Sequence, residues 1–458
     1  DWSGAVERLR RRRLVEVEAL NPDPIVDPIA EVLLTSNVLV ALGADAGPPR
    51  YWYDHPIPID AKPETSELAH GLRSINAAVG FELSRHTEWS GPATVVLSLS
   101  STHEPPSAEE GSLVHRVLSS IESLPNLRVF CFDEQLSRRL WDEVICAVPV
   151  PGHSPPTSDS RPVFGVSGPY GRHYSFLKAL APLWAICIDP RVRGTFKFDL
   201  DQAFPQEQLV AETGQTALEH LTTEWWGARA RATTGERIDL SLLAGGLVNQ
   251  ADTEKSIFTP DVPRKQPETA EHAIFFSPLV QALSTEAEIV TRADQLDDGV
   301  AQERIHVTGG TSGVLVAGLR RWRLFSPSFV GRAEDQAYLI SALHNTEDRP
   351  GYLHEPGFVM RHDKAEIIPD VIGSSTDDKH IGDLVRTRLF STYGAGHKSL
   401  LDPFTGCFIS QIPITVTALR FAVHALESAE AADHYLTTGS RRLGDADATV
   451  SSMAEATN

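Results

Sequence analysis

The chain shows two textures of apolar residues. In ETSELAHGLRSINAAVGFELSR (64–85), Leu68, Leu72, Ile75 and Val79 recur three or four positions apart. That spacing makes one face of a helix. Elsewhere the apolar residues run together. ATVVLSLSS (93–101), PNLRVFCFDE (125–134) and GTFKFDLD (194–201) are short aliphatic and β-branched runs. Strands covered on both faces read this way. VICAVPV (144–150) reads as a further strand, and VLVALGADAG (38–47) as a strand and turn. SAEEGSLVHRVLSSIESL (107–124) reads as a helix, with Ser107 as N-cap and Glu110 three residues on. HYSFLKALAPLWA (173–185) reads as another helix. Strand, helix, strand, helix at this spacing predicts a mostly parallel α/β sheet flanked by helices. Ligands of such sheets sit at the carboxyl ends of the strands. Asp133, Glu134, Asp199 and Asp201 fall at such ends.

The later chain is less regular. LVAETGQTALEHLTTEWWGARARA (209–232) reads as helix, and AGGLVNQADTEKSIFTPDVPRKQPE (244–268) as loop. RIHVTGGTSGVLVAGLRRW (304–322) reads as a strand and glycine turn entering a helix. GRAEDQAYLISAL (331–343) is a further helix, and GYLHEPGFVMRHDK (351–364) a loop with at most a short strand. From about residue 380 the pattern is helical, ending in a polar tail. The expected organisation is an N-terminal extension (1–90), an α/β unit (91–370) and a C-terminal helical segment with its tail (371–458).

Charge narrows the partners. The chain has 458 residues, 41% hydrophobic and 22% charged, which is ordinary for a globular protein. Its formal charge of −20 disfavours a nucleic-acid partner, since phosphate tracts need an excess of Lys and Arg. A local basic pocket for one anionic ligand is still compatible with it. No window approaches the apolar length of a membrane span. The first twenty residues carry charge where a signal peptide needs an apolar core, and the sequence begins without Met. The expectation is a cytoplasmic protein; its oligomeric state is not legible. Cys131, Cys146, Cys187 and Cys407 lie far apart with no CxxC, which argues against a zinc knuckle and disulfides. The first three sit in apolar runs and read as buried small hydrophobes.

Asp199-Leu200-Asp201 is the leading chemical candidate. Mg²⁺ and Mn²⁺ take carboxylate oxygens and bridge them to substrate phosphates. The spacing alone is weak, because Asp445-Ala446-Asp447 repeats it in the tail. Arg172, at a glycine-rich helix entry, fits either a phosphate contact or a surface arginine. Glu334-Asp335 fits either a functional acidic pair or helix N-terminal charges. Trp225-Trp226 could stack on a sugar, though such a pair is more often part core and part surface. Thr308 to Gly313, around Gly309 and Gly310, lacks the GxxxxGK(S/T) pattern of nucleotide phosphate loops. GxSxG, HExxH and a strand-to-helix GxGxxG are also absent.

Three stretches, in order, resemble the GT-A glycosyltransferases, most closely those of family 2 type. VVLSLSSTHEPPSAEEGSLVHRVLSSIESLPNLRVFCFDE resembles their first β-α-β unit, whose second strand ends in an acidic residue. GRHYSFLKALAPLWAICIDPRVRGTFKFDLDQAF resembles the donor-site half, ending in DxD. TGGTSGVLVAGLRRWRLFSPSFVGRAEDQAYL resembles the later segment, with a glycine turn and an acidic pair. Together they cover roughly residues 93–365. The resemblance implies a GT-A, Rossmann-like sheet and a hexosyltransferase using a UDP- or GDP-sugar, Mn²⁺ or Mg²⁺, and a small-molecule or glycan acceptor. It assigns Asp133, Arg172, Asp199, Gly309 and Gly310 to the donor. It assigns Asp201 and Asp199 to the metal, with His362 or His354 as a further ligand, and it gives Asp335 and Glu334 to catalysis. Arg361 and Lys364, flanking His362, could also hold diphosphate. The alternatives are a sugar-phosphate nucleotidyltransferase, against which the glycine-poor turn SSTHEPPSAEE counts, and a non-catalytic binding domain of the same fold.

Overall fold

Every strand that the computed structural model describes joins one mixed sheet, with helices packed against it. The described residues are 14–41, 57–62, 66–102, 108–120, 123–147, 164–166, 172–249, 299–304, 310–322, 348–362 and most of 421–444. The strands are β1 (Leu14–Ala19), β2 (Val32–Ala41), β3 (Ile57–Pro58), β4 (Ala93–Ser101), β5 (Leu127–Phe132) and β6 (Gly194–Phe198). They continue with β7 (Gln202–Ala203), β8 (Arg229–Ala232), β9 (Arg237–Asn249), β10 (Val300–Arg304), β11 (Thr311–Leu315) and β12 (Asp348–His362). The order across the sheet is β5-β4-β2-β6-β11-β9-β8-β1-β10-β12-β7.

The first half is the parallel sheet that the apolar runs predict. β5, β4, β2 and β6 pair in parallel, so their carboxyl ends share one edge. β4 and β6 are buried throughout, as continuous apolar strands must be. β2 lies between them, with Leu34 opposite both Val95 and Phe196. Residues 14–41, expected in an extension, thus supply a central strand of the sheet as well as β1.

The second half was not foreseen. β9 is long enough to take two partners along one side, β8 near its start and β11 further on. β12 runs beside its other side. The pairings β9–β8, β8–β1, β1–β10, β10–β12 and β12–β9 therefore close a ring of five strands. β9 and β12 correct the loops expected at 244–268 and 351–364. Glycine masked the strand pattern there. Gly245 has room only for hydrogen, because a Cβ would stand 2.4 Å from the Phe358 carbonyl oxygen. Gly357, at φ +79°, sits where the β9–β12 register shifts.

The described helices are α1 (Pro28–Glu31), α2 (Glu67–Arg85), α3 (Ala108–Ser120), α4 (Glu134–Leu140), α5 (Arg172–Cys187), α6 (Gln206–Thr213) and α7 (Val316–Arg321). The C-terminal fragments within 421–444 are helical too. The Ser66 hydroxyl caps α2 by accepting from Ala69 N–H at 3.2 Å. Leu68, Leu72, Ile75 and Val79 are its buried stripe, as the spacing predicts. The helix expected over 209–232 stops early, because Gly214 at φ +81° terminates α6 and the chain then leads into β8. Val144 to Ala147, the described part of the strand expected over 144–150, are not a strand. Asp133 starts α4, and Trp141–Ile145 continue it as a π-helical turn. Ser107 and the segment 331–343 lie outside the described residues.

Trp226 is a core residue, which removes it from sugar stacking. It is 1% exposed, and its Nε1–H donates to the Ser241 carbonyl at 3.0 Å. Gly194 and Gly313 leave space for its ring. Trp225 is part-buried against the same core. Cys187 also departs from expectation, being exposed at the end of α5.

Inside the ring, Arg349 and Glu303 form a buried bidentate pair, one arm at 2.9 Å. Their side chains are 4% and 2% exposed. Burial works against the Arg349 charge, but Glu303 and then Glu236 outweigh it and hold its pKa above the usual arginine value. Deleting one partner strands a buried charge. Glu303→Ala should therefore lower unfolding free energy by about 3–5 kcal/mol in urea titrations. Deleting the exposed Arg231–Glu18 contact should cost less than about 1 kcal/mol. Equal losses would contradict the buried placement.

Candidate functional site at the carboxyl edge of the sheet

The site forms where β6 ends. β6 is apolar up to Phe198, and then the chain turns through Asp199-Leu200-Asp201 into β7. The two aspartates differ in setting. Asp201 is 4% exposed. The Asp199 side chain is 37% exposed, and its Oδ1 accepts from Lys197 Nζ at 2.7 Å. Lys197 itself is 8% exposed, so Asp199 is anchored by a buried ammonium. Asp199 N–H donates to the Gln202 side-chain oxygen at 3.0 Å, closing the turn.

β11 runs antiparallel to β6, with Thr311 opposite Phe198. Gly310 therefore meets the aspartate turn. A Cβ there would lie 2.5 Å from Asp199 Oδ2 and 2.6 Å from Gln202 Nε2. Only a residue without a side chain admits the carboxylate. On the other side, β7 pairs with the end of β12, placing the His362 backbone opposite Gln202. The first turn of α5 reaches the same region, where the Tyr174 hydroxyl lies 3.4 Å from the Ser312 hydroxyl. Ser312 is in register with Lys197, so Arg172 begins its helix near the turn.

α2 braces the turn from below. Gly71 packs against the Leu200 backbone, and the Ser74 hydroxyl accepts from Phe204 N–H at 3.1 Å. His70 stands within electrostatic range of Asp201 and hydrogen-bonds the Gln202 backbone. Burial lowers its pKa, and the Asp201 charge only partly offsets this. Its buried Nε2 has no hydrogen-bond partner among the described residues.

Asp133 follows β5 on the same edge, three strand spacings or about 14 Å from the β6 end. Its Oδ1 caps α4 by accepting from Leu136 N–H at 2.7 Å, so one oxygen serves the helix. Glu134 accepts from Val166 N–H at 3.2 Å.

The edge thus brings together Asp199, Asp201, Gly310, the start of α5 at Arg172 and the His362 backbone. It does not bring His354. That residue is 3% exposed and pairs with Ala244, so β9 and β11 separate it from β6. Arg361 is engaged by Glu212 at 2.9 Å rather than turned to a diphosphate. Gly309, Glu334, Asp335 and Lys364 lie outside the described residues, as do the side chains of Arg172 and His362. The sequence reading missed His70, Lys197 and Gln202. Lys197 and Gln202 were visible as polar residues flanking the DxD, whereas His70 sits 131 residues before Asp201 and gave no local signal.

No family model matches the chain, and no curated protein matches it. Among solved structures, a mannosyltransferase from Pyrobaculum calidifontis in complex with GDP-Man and Mn²⁺ is similar. The identity is 11% and the TM-score 0.35, over 99% of this chain and 91% of that one. A superposition this loose carries no argument about this chain's activity. Among the described residues, no helix is long and apolar enough to cross a membrane.

Cys131 precedes Asp133 on β5. Burial, and then the Asp133 charge, push its thiol up to about 11. At pH 8 only about one part in a thousand would be thiolate. Iodoacetamide should label exposed Cys187 and spare Cys131, read by peptide mass mapping. Equal labelling would contradict the apolar setting of the β5 end.

Proposed function

We propose that this protein is a metal-dependent glycosyltransferase of GT-A type. It would move a hexose from a UDP- or GDP-sugar to a hydroxyl on a small-molecule or glycan acceptor. The observation that supports this best is the aspartate turn at the end of β6. Asp199 presents its second oxygen against Gly310, in space that a Cβ would fill. The ordered resemblance of the three sequence stretches supports the same reading.

The donor set fits a hard divalent cation. Two carboxylates leave one turn, and hard oxygens suit Mg²⁺ or Mn²⁺. Asp201 and Asp199 would hold the ion. His70, within electrostatic range of Asp201 and with a buried, unpartnered Nε2, is a better-placed nitrogen donor than His354. When bound, the cation would neutralise charge on the departing nucleotide diphosphate. The chain's own groups do the rest. Lys197 fixes Asp199 and offsets its charge. The start of α5 would offer backbone N–H groups to phosphate, and Arg172 would add a cation. Asp133, farther along the edge, would meet the ribose or base. Asp335 would take the proton from the acceptor hydroxyl, and Glu334 would contact the sugar.

Asp201→Ala should abolish Mn²⁺-dependent UDP or GDP binding in calorimetry. Unchanged affinity would reject the site. Asp335→Asn should keep donor binding and slow transfer by about 10²–10⁴-fold. Full transfer in that variant would remove the proposed base. Release of pyrophosphate from a nucleoside triphosphate and a sugar phosphate would favour a nucleotidyltransferase instead.

A further inference from the structure

The far end of α2 carries a second cluster that the proposed transfer does not use. Glu82 and His86 lie one turn apart there, and Glu219 reaches them from a short 3-10 turn. One donor atom from each lies within 4.8 Å of the others. Among the described residues, these are the three His, Cys, Asp or Glu side chains that converge in this way.

Glu82 and His86 each have one atom tied from outside and one turned inward, while Glu219 reaches them with an oxygen that it shares with Arg85. Glu82 Oε1 accepts from the Gln206 amide at 2.6 Å. Its Oε2 has no hydrogen-bond partner although the side chain is 0% exposed. His86 Nδ1 faces Glu88 at 3.1 Å, which leaves Nε2 facing the other two. Glu219 Oε2 accepts from Thr216 N–H at 2.6 Å, and its Oε1 lies 2.7 Å from His86 Nε2 and also accepts from Arg85 at 3.2 Å. A carboxylate on the outer nitrogen of a histidine is the usual arrangement behind a metal-bound imidazole, fixing its tautomer and ring orientation. The Trp89 ring, stacked 3.8 Å from His86, fixes it further.

We propose that Glu82, His86 and Glu219 form a zinc-class divalent cation site, separate from the aspartate turn. Donors around tetrahedral zinc stand about 3.4 Å apart. The inward contacts bracket that value, at 2.7 Å from His86 to Glu219 and 4.0 Å from His86 to Glu82. His86 is 20% exposed, so water can supply a fourth ligand. Imidazole with two carboxylates favours Zn²⁺ over Mg²⁺ and, by affinity order, over Mn²⁺. His70 lies twelve residues earlier on α2, about 18 Å away along the axis, so one ion cannot serve both places. A cation here would pin the end of α2 to the segment at 216–219.

The test uses the full chain, stripped with a chelator, in an Asp201→Ala background so that the aspartate turn does not contribute. Zn²⁺ should bind with one equivalent in calorimetry and raise Tm. Co²⁺ should give the intense visible bands of four-coordinate geometry. Adding His86→Ala or Glu82→Gln should weaken Zn²⁺ at least about 100-fold, and adding Glu88→Gln about 10–100-fold. Glu88 is 66% exposed, so its variant keeps the test open if a buried substitution fails to fold. Unchanged Zn²⁺ affinity in Glu88→Gln and His86→Ala would overturn the proposal. So would a weak octahedral Co²⁺ spectrum, or no binding in the Asp201→Ala background. The cluster would then be a triad in which His86 hydrogen-bonds Glu219, with Glu82 beside it.

Discussion

The reversal of direction between β6 and β11 is the constraint on which the candidate site rests. Four parallel strands carry their carboxyl ends to one edge. β11 then returns antiparallel to β6, so its first residue arrives where β6 finishes. That meeting sets Gly310 against Asp199. A further parallel strand would have brought its own end there, with no glycine to make room. The same reversal lets Lys197 and Ser312 share a register level, linking the anchored carboxylate to the start of α5.

α2 connects this edge to the rest of the molecule. Its apolar stripe lies in the core, while polar groups near both ends face chemistry. His70 and Ser74 support the aspartate turn, and Glu82 and His86 face Glu219. Buried polar groups of this kind are costly unless matched. Gln206 illustrates the matching, since it donates to Glu82 and accepts from Ala217 N–H. The core of this protein is therefore not purely hydrocarbon, and its polar contacts hold segments far apart in sequence in fixed relation.

How much of this was legible in the sequence depended on whether the signal was local. β4 and β6 were readable because strands covered on both faces must be continuously apolar; β5 has the same apolar texture but lies at the sheet edge only partly buried, with Phe130 41% exposed. The buried stripe of α2 was readable because its period is helical. Asp199 and Asp201 were readable as polar residues ending such a run. β9 and β12 were hidden by glycines, which usually mark turns but here permit close strand packing. The placement of β2 could not be read, because crossing order depends on pairings between segments over 150 residues apart. His354 was credited to the site from its distance in sequence past the acidic pair, whereas the β12 register sets it behind two intervening strands, β11 and β9, from β6. His70 was missed for the converse reason, since tertiary packing alone brings it to Asp201.

The length of β9 has a consequence for how this molecule comes apart. Its early residues belong to the closed ring and its later residues to the open sheet, yet it is one unbroken backbone. Detaching β8 frays one end of the same ladder that positions β11. Neither half has a natural seam where loosening would stop. Disturbances that begin among the ring strands should thus propagate to the carboxylate edge as a single melting unit, so tolerance to substitution in the ring is tied to upkeep of the distant pocket.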